Sequence, residues 1–153
     1  VIPRAHGSRA FDKDGLKPPS RAIIDKGVLQ TFLLDAYHAR KLDREVTGGG
    51  LTNVVVPAGE RSWEAILKDH ARAIRVTSFL GGNSNATSGD FSFGIRGQLY
   101  ERGEKVKNII EMNVAGNLLD LLERFSEAAN DPWTYSSYRV PSLVFEGVQF
   151  SGS

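Results

Sequence analysis

The sequence predicts an α+β domain: a predominantly antiparallel β-sheet, sandwich or barrel-like, with about three short helices. Two observations carry that reading. Apolar–polar alternation recurs in short runs separated by glycine turns, the pattern of hairpin-linked strands. Three other runs open on a capping residue and place apolar side chains at helical spacing. Too few strand–helix–strand units appear for a doubly wound sheet, so the hairpins decide the class.

The elements follow in order. Arg21 to Ile24 is β-prone, Asp25-Lys26-Gly27 is a turn, and Val28 to Leu34 returns, giving a hairpin. Asp35 caps a short helix from Ala36 to Leu42. Thr47-Gly48-Gly49-Gly50 breaks the chain, and Asn53 to Val56 is a strand ended by Pro57. Ser62 caps a helix over Trp63 to Ala71, with Ile66 and Leu67 inward. Ile74 to Leu80 is a strand. "LGGNSNATSGDFSF" at 80–93 reads as a loop leading into the next strand, in which Phe91, Phe93 and Ile95 share the inward face. That strand runs to Tyr100, "ERGEK" turns, and Val106 to Met112 returns. Asn117 starts a helix with Leu118, Leu121, Leu122 and Phe125 at helical spacing. "NDPWTYSSYRVP" is irregular. Leu143 and Phe145 alternate, and Val148 and Phe150 resume in opposite phase, which a bulge at Gly147 would explain.

Composition bounds the function. The 153 residues suffice for one domain, 1–153, with a real core. The polar, Gly- and Pro-rich start at Val1, without Met or a signal-peptide pattern, reads as part of a longer protein. A net charge of +1 gives no field favouring nucleic acid or an anionic membrane. No apolar run is long enough to span a bilayer as a helix. The chain has no cysteine, which removes disulfides, zinc–thiolate sites and a thiol nucleophile within it. That composition fits a cytoplasmic protein.

Motifs for chemistry fail one by one. A phosphate loop needs Lys and a hydroxyl after its second glycine, whereas Gly89 is followed by Asp90 and Phe91 and leads into a strand. Asn85-Ala86-Thr87 fits a glycosylation sequon but has no secretory context. His6, His38 and His70 include no pair at i, i+4, the spacing that puts two imidazoles on one helix face. No Gly-x-Ser-x-Gly or Ser-x-x-Lys is present. No catalytic, cofactor-binding or metal-ligating residue is therefore assigned. The exposed candidates for contact with a partner or a peptide are Asn83, Ser84 and Asn85 in the glycine-rich stretch, and Trp133, Tyr135 and Tyr138 in the aromatic segment.

Two stretches carry a family likeness. Ser88-Gly89-Asp90-Phe91-Ser92 and Ala115-Gly116-Asn117-Leu118 are the most specific, supported by Asp25 to Leu29, Ala39-Arg40-Lys41-Leu42 and Pro141-Ser142-Leu143. In this order they resemble the C-terminal region of the TldD/PmbA family, also called the modulator-of-DNA-gyrase family, over about Gly7 to Gly152. The resemblance implies a cytoplasmic, heteromeric zinc peptidase that trims peptides or unfolded proteins. Its TldD half carries a His-Glu-x-x-x-His-type motif and a Cys from its C-terminal part; its TldE (PmbA) half lacks those ligands. The interval Ser126 to Pro141, where that Cys would fall, holds only aromatics, hydroxyls and other non-thiol residues.

The resemblance thus implies a non-catalytic TldE/PmbA-type domain, without a cofactor of its own, paired as a dimer with a zinc-bearing TldD-like subunit. Nucleic acid and membrane are not expected partners. Two alternatives are a fragment of a catalytic TldD-like enzyme whose zinc motif lies upstream, and a gyrase-associated interaction module.

Overall fold

Glycine turns set the hairpins. In the computed structural model, which describes Ile2 and residues 4–152, Lys26 and Gly27 both have positive φ, +49° and +80°. That is the type I′ geometry whose twist suits a two-residue hairpin. It joins β1 (Ile24–Asp25) to β2 (Val28–Leu29) in antiparallel register, Ile24 opposite Leu29. The described residues form two compact units.

The first unit holds the described residues up to Val56 together with Trp133–Val140. Its helix α1 (Ala36–Lys41) is capped as expected: Asp35 accepts from the His38 backbone N–H at 2.8 Å, and Ala39 is the buried contact. β3 (Val54–Val55) pairs in parallel with β8 (Tyr138–Arg139), Val54 opposite Tyr138. The segment expected to be irregular therefore contributes a strand, and its partner lies more than eighty residues earlier, outside the reach of local pattern.

The second unit, Pro57–Pro132 with the described residues from Pro141 onward, carries the main sheet. Ser62 caps α2 (Trp63–Asp69) by accepting from the Ala65 N–H at 3.2 Å, and Ile66 buries its side chain. β4 (Arg72–Ser84), β5 (Asp90–Glu101), β6 (Glu104–Asn117) and β10 (Phe150–Ser151) form an antiparallel sheet in the order β10-β6-β5-β4. Arg102 and Gly103, at φ +50° and +85°, make the β5–β6 turn in the same type I′ manner. α3 (Leu118–Glu123) follows β6 directly. β7 (Phe125–Ala128) then pairs antiparallel with β9 (Leu143–Phe145).

The described residues form three helices and mostly antiparallel sheets, and this α+β class is the one expected. Of the two sheet forms expected, the barrel is not made: the four-stranded sheet ends at β4 and β10, and no closed barrel occurs among the described residues. Other differences are local. β4 continues through Leu80 to Ser84, so most of the expected loop is strand. Gly81 and Gly82 take φ of +127° and +151° and still pair with Gly94 and Phe93. A Cβ at Gly82 would stand 2.2 Å from the Ser92 carbonyl oxygen, so glycine there permits the close approach. Phe125 leaves the helix for β7, because α3 ends at Glu123 with Arg124 as its C-cap. Gly147 is a break between strands of two different sheets and not a bulge within one.

The bulges instead lie in the long hairpins. Where Ile95 and Arg96 pair with Met112 and Ile110, Glu111 is the extra residue and adopts φ +66°. The core of this unit centres on Ile95, fully buried, with Leu99, Ile109 and Val114.

Candidate functional site

Cross-strand register places Phe79 opposite Ile95, Ile95 opposite Met112, Phe93 opposite Val114, and Val114 opposite Phe150. Directly opposed residues share a face, so these side chains line one side of the four-stranded sheet. That side is an open concavity of about 1230 Å³, also bordered by Trp63 and Ile66 of α2, Leu118 and Leu121 of α3, and Phe145 of β9. The rings of Phe79 and Phe93 lie 5.3 Å apart, and those of Phe91 and Phe93 6.1 Å apart. Phe91 and Phe93 were expected to face the core, and they point to the expected side. Ile95 is fully buried, as is Ile66 of α2, whereas Phe79 stays 63% exposed. An apolar face this open is the mark of an interaction surface.

The concavity's border carries Arg72 and Arg75, with His70 and Glu146. The Arg75 guanidinium lies over the Trp63 ring, 3.7 Å from its centre. Sequence reasoning did not single out this border, because its residues come from a helix end, a strand start and a segment more than seventy residues later.

The six contact candidates fall in two groups, one in each compact unit. Asn83 and Ser84 end β4, and Asn85 begins the turn to β5. All three are exposed, and Ser84 and Asn85 stand at the rim of the concavity. Asn85 is partly engaged, since its side-chain oxygen accepts from the Thr87 N–H at 2.9 Å. In the other unit Trp133 and Tyr135 meet edge to face at 5.3 Å, and Tyr138 lies in β8. All three rings are exposed, Tyr135 at 75%. Large rings held in place and left wet are a common anchor at protein interfaces.

Titratable groups form local pairs. Asp35 accepts from Lys13 Nζ at 2.7 Å, from the His38 N–H, and from His38 Nδ1 at 2.7 Å. Those bonds, the Lys13 contact first, hold its carboxyl well below the usual carboxylate range. Ser88 and then Asn117 lower Asp90 in the same way. Both carboxyls have folded pKa values below their unfolded ones. Their stabilisation is therefore present above the unfolded pKa of about 4 and is lost as pH falls through the folded values. We expect the thermal midpoint to hold level from neutral pH to about pH 5 and to fall below about pH 4. In Asp35→Asn the neutral-pH midpoint should be lower and the acid fall shallower. A pH series of melting curves checks this, and an unchanged acid slope in the variant would contradict it.

Among the described residues, no three His, Cys, Asp or Glu side chains gather as a metal would require. His38 is committed to Asp35, and His70 caps the C-terminus of α2. The residues present do not fit a metal centre. No helix of the described residues is long and apolar enough to cross a membrane.

The geometry gives an antiparallel α+β fold with an open apolar face on the four-stranded sheet of one unit and an exposed aromatic cluster in the other. The family model for the PmbA/TldA metallopeptidase C-terminal domain matches residues 1–152, and the chain belongs to that PmbA/TldD family. Metalloprotease PmbA of Escherichia coli O157:H7 is 33% identical over 147 residues, covering 95% of this chain and 33% of that protein. The metalloprotease TldD homolog of Haemophilus influenzae is 25% identical over 143 residues, covering 85% of this chain and 30% of that protein.

Among solved structures, a putative modulator of DNA gyrase from Bacteroides thetaiotaomicron superposes with a TM-score of 0.92 at 44% identity, over 97% of this chain and 34% of that one. TldE from Thermococcus kodakarensis gives 0.85 at 26% identity, over 94% of this chain and 36% of that one. The chain spans about a third of the length of the relatives it matches.

Proposed function

We propose that this chain is the C-terminal domain of a TldE/PmbA-type subunit, a non-catalytic half of a cytoplasmic peptidase whose zinc resides in a TldD-like partner. The observation that carries the reading is the segment Ser126 to Pro141. It has no Cys. It folds into β7, an edge-to-face Trp133–Tyr135 pair and β8. Asp131 then accepts from the Ser142 N–H and hydroxyl, each at 2.8 Å. Glu127 pairs with Arg61, Ser126 donates to Glu146 and Asn130 donates to the Glu60 carbonyl, and no residue of the segment is a soft ligand of the kind zinc prefers. Greater identity to PmbA than to TldD relatives supports the same type.

The domain's part in such an enzyme is to pair and to enclose. The apolar concavity and the aromatic cluster offer contact area, and the free edge of β4 offers backbone groups to an extended chain. Peptides or unfolded proteins are the substrates this reading assigns to the whole assembly. Co-purification of the full-length protein with a TldD-like subunit tests it. Peptide cleavage should appear only in the pair. A full-length protein that binds no such subunit would remove the shared-enzyme role.

A further inference from the structure

The two stretches that carry the family likeness are bonded to each other. Asn117 Nδ2 donates to the Ser88 carbonyl at 2.8 Å and to Asp90 Oδ1 at 2.9 Å, and Ser88 Oγ donates to Asp90 Oδ2 at 2.6 Å. The Leu118 N–H donates to the Gly89 carbonyl at 2.8 Å, and Asn117 Oδ1 accepts from the Leu119 N–H at 3.0 Å. Within the turn, the Gly89 N–H donates to Asn85 O and the Asn85 N–H to Asp90 O, both at 2.8 Å. Gly89 sits at φ +82°, and a Cβ there would crowd Asn117 Oδ1 at 3.3 Å.

Helix α3 starts at this junction. At six residues it is far shorter than a helix that persists alone. None of its residues is buried, and Leu119 is 67% exposed. We propose that Ser88, Asp90 and Asn117 form a latch that makes the β4–β5 turn and α3 one conditional unit, ordered together when it is closed and released together when it opens. Two segments almost thirty residues apart then share one local stability, as in a small cooperative opening unit. The inference stands on these bonds alone and is independent of the partner reading.

Asn117→Asp separates a latch from an ordinary helix cap. Aspartate caps a helix as well as asparagine does. It loses both Nδ2 donations, however, and sets a second carboxylate against Asp90. Amide hydrogen exchange on the full-length protein reads the difference. The latch predicts about tenfold faster exchange at Leu118 and Arg124 and also at Gly89 across the junction, with Gly97 and Ile109 in the sheet unchanged. Ser88→Ala, which touches no α3 residue, should move the same amides by about threefold. Exchange in Asn117→Asp within about twofold of the parent at Leu118 and Gly89 would overturn the proposal. So would equal acceleration of the sheet amides in both variants, since the opening would then be global.

Discussion

Gly97→Ala should lower the thermal midpoint sharply, because the added methyl has no room at the centre of the main sheet. Gly97 is buried in β5, between β4 and β6, and an ideal Cβ there would stand 2.4 Å from the Arg75 carbonyl oxygen and 3.2 Å from its carbon. Backbone on the neighbouring strand cannot rotate aside as a side chain does, so β4 and β5 must part at the Val76–Gly97 pair. Overpacking of this kind costs about 3 kcal/mol. For a domain of this size that is a fall of about 10 °C in the thermal midpoint. Thermal unfolding checks it. A midpoint within about 2 °C of the parent would mean that the strands are less closely spaced than described.

Ile95→Ala comes second. Ile95 is 0% exposed and pairs across to Phe79 on one side and Met112 on the other. Its truncation removes buried methyl groups and leaves a void beneath a face that is already open to solvent. The expected loss is about 3 kcal/mol. Ile110, in the next strand and 58% exposed, is the matched control: Ile110→Ala should cost less than about 0.5 kcal/mol. Denaturant titration of the two variants measures the gap. Equal losses would place the core elsewhere than at the centre of this sheet.

These two residues also mark what the sequence made legible. Ile95 was readable as inward from the alternation Phe91, Phe93, Ile95, and the caps Asp35, Ser62 and Asn117 were readable because each is a side chain acting on backbone two or three residues away. Local chemistry writes local signals. The path of Leu80 to Ser84 was not readable in this way. Two glycines, two polar residues and a turn beyond them look like a loop, and only pairing with Phe91 to Gly94 makes them strand.

The same limit hid the latch. Ser88-Gly89-Asp90 and Asn117 are separate motifs in the sequence, each with an ordinary local use, and the fold alone brings them within hydrogen-bond distance. It also hid the concavity, which no single element contains. The contact candidates show both sides of this. Polarity and aromaticity picked out residues that are exposed, but pattern alone does not show that Ser84 and Asn85 stand at the rim of an apolar face.

In the proposed function, this chain's subunit contacts and encloses while a TldD-like partner supplies the metal. Metal analysis of the purified full-length protein, alone and after mixing with such a partner, tests it most directly. The protein alone should hold far less than one zinc per chain and cleave no peptide, with zinc and turnover appearing together in the mixture. One tightly held zinc per chain, with cleavage by the isolated protein, would contradict it.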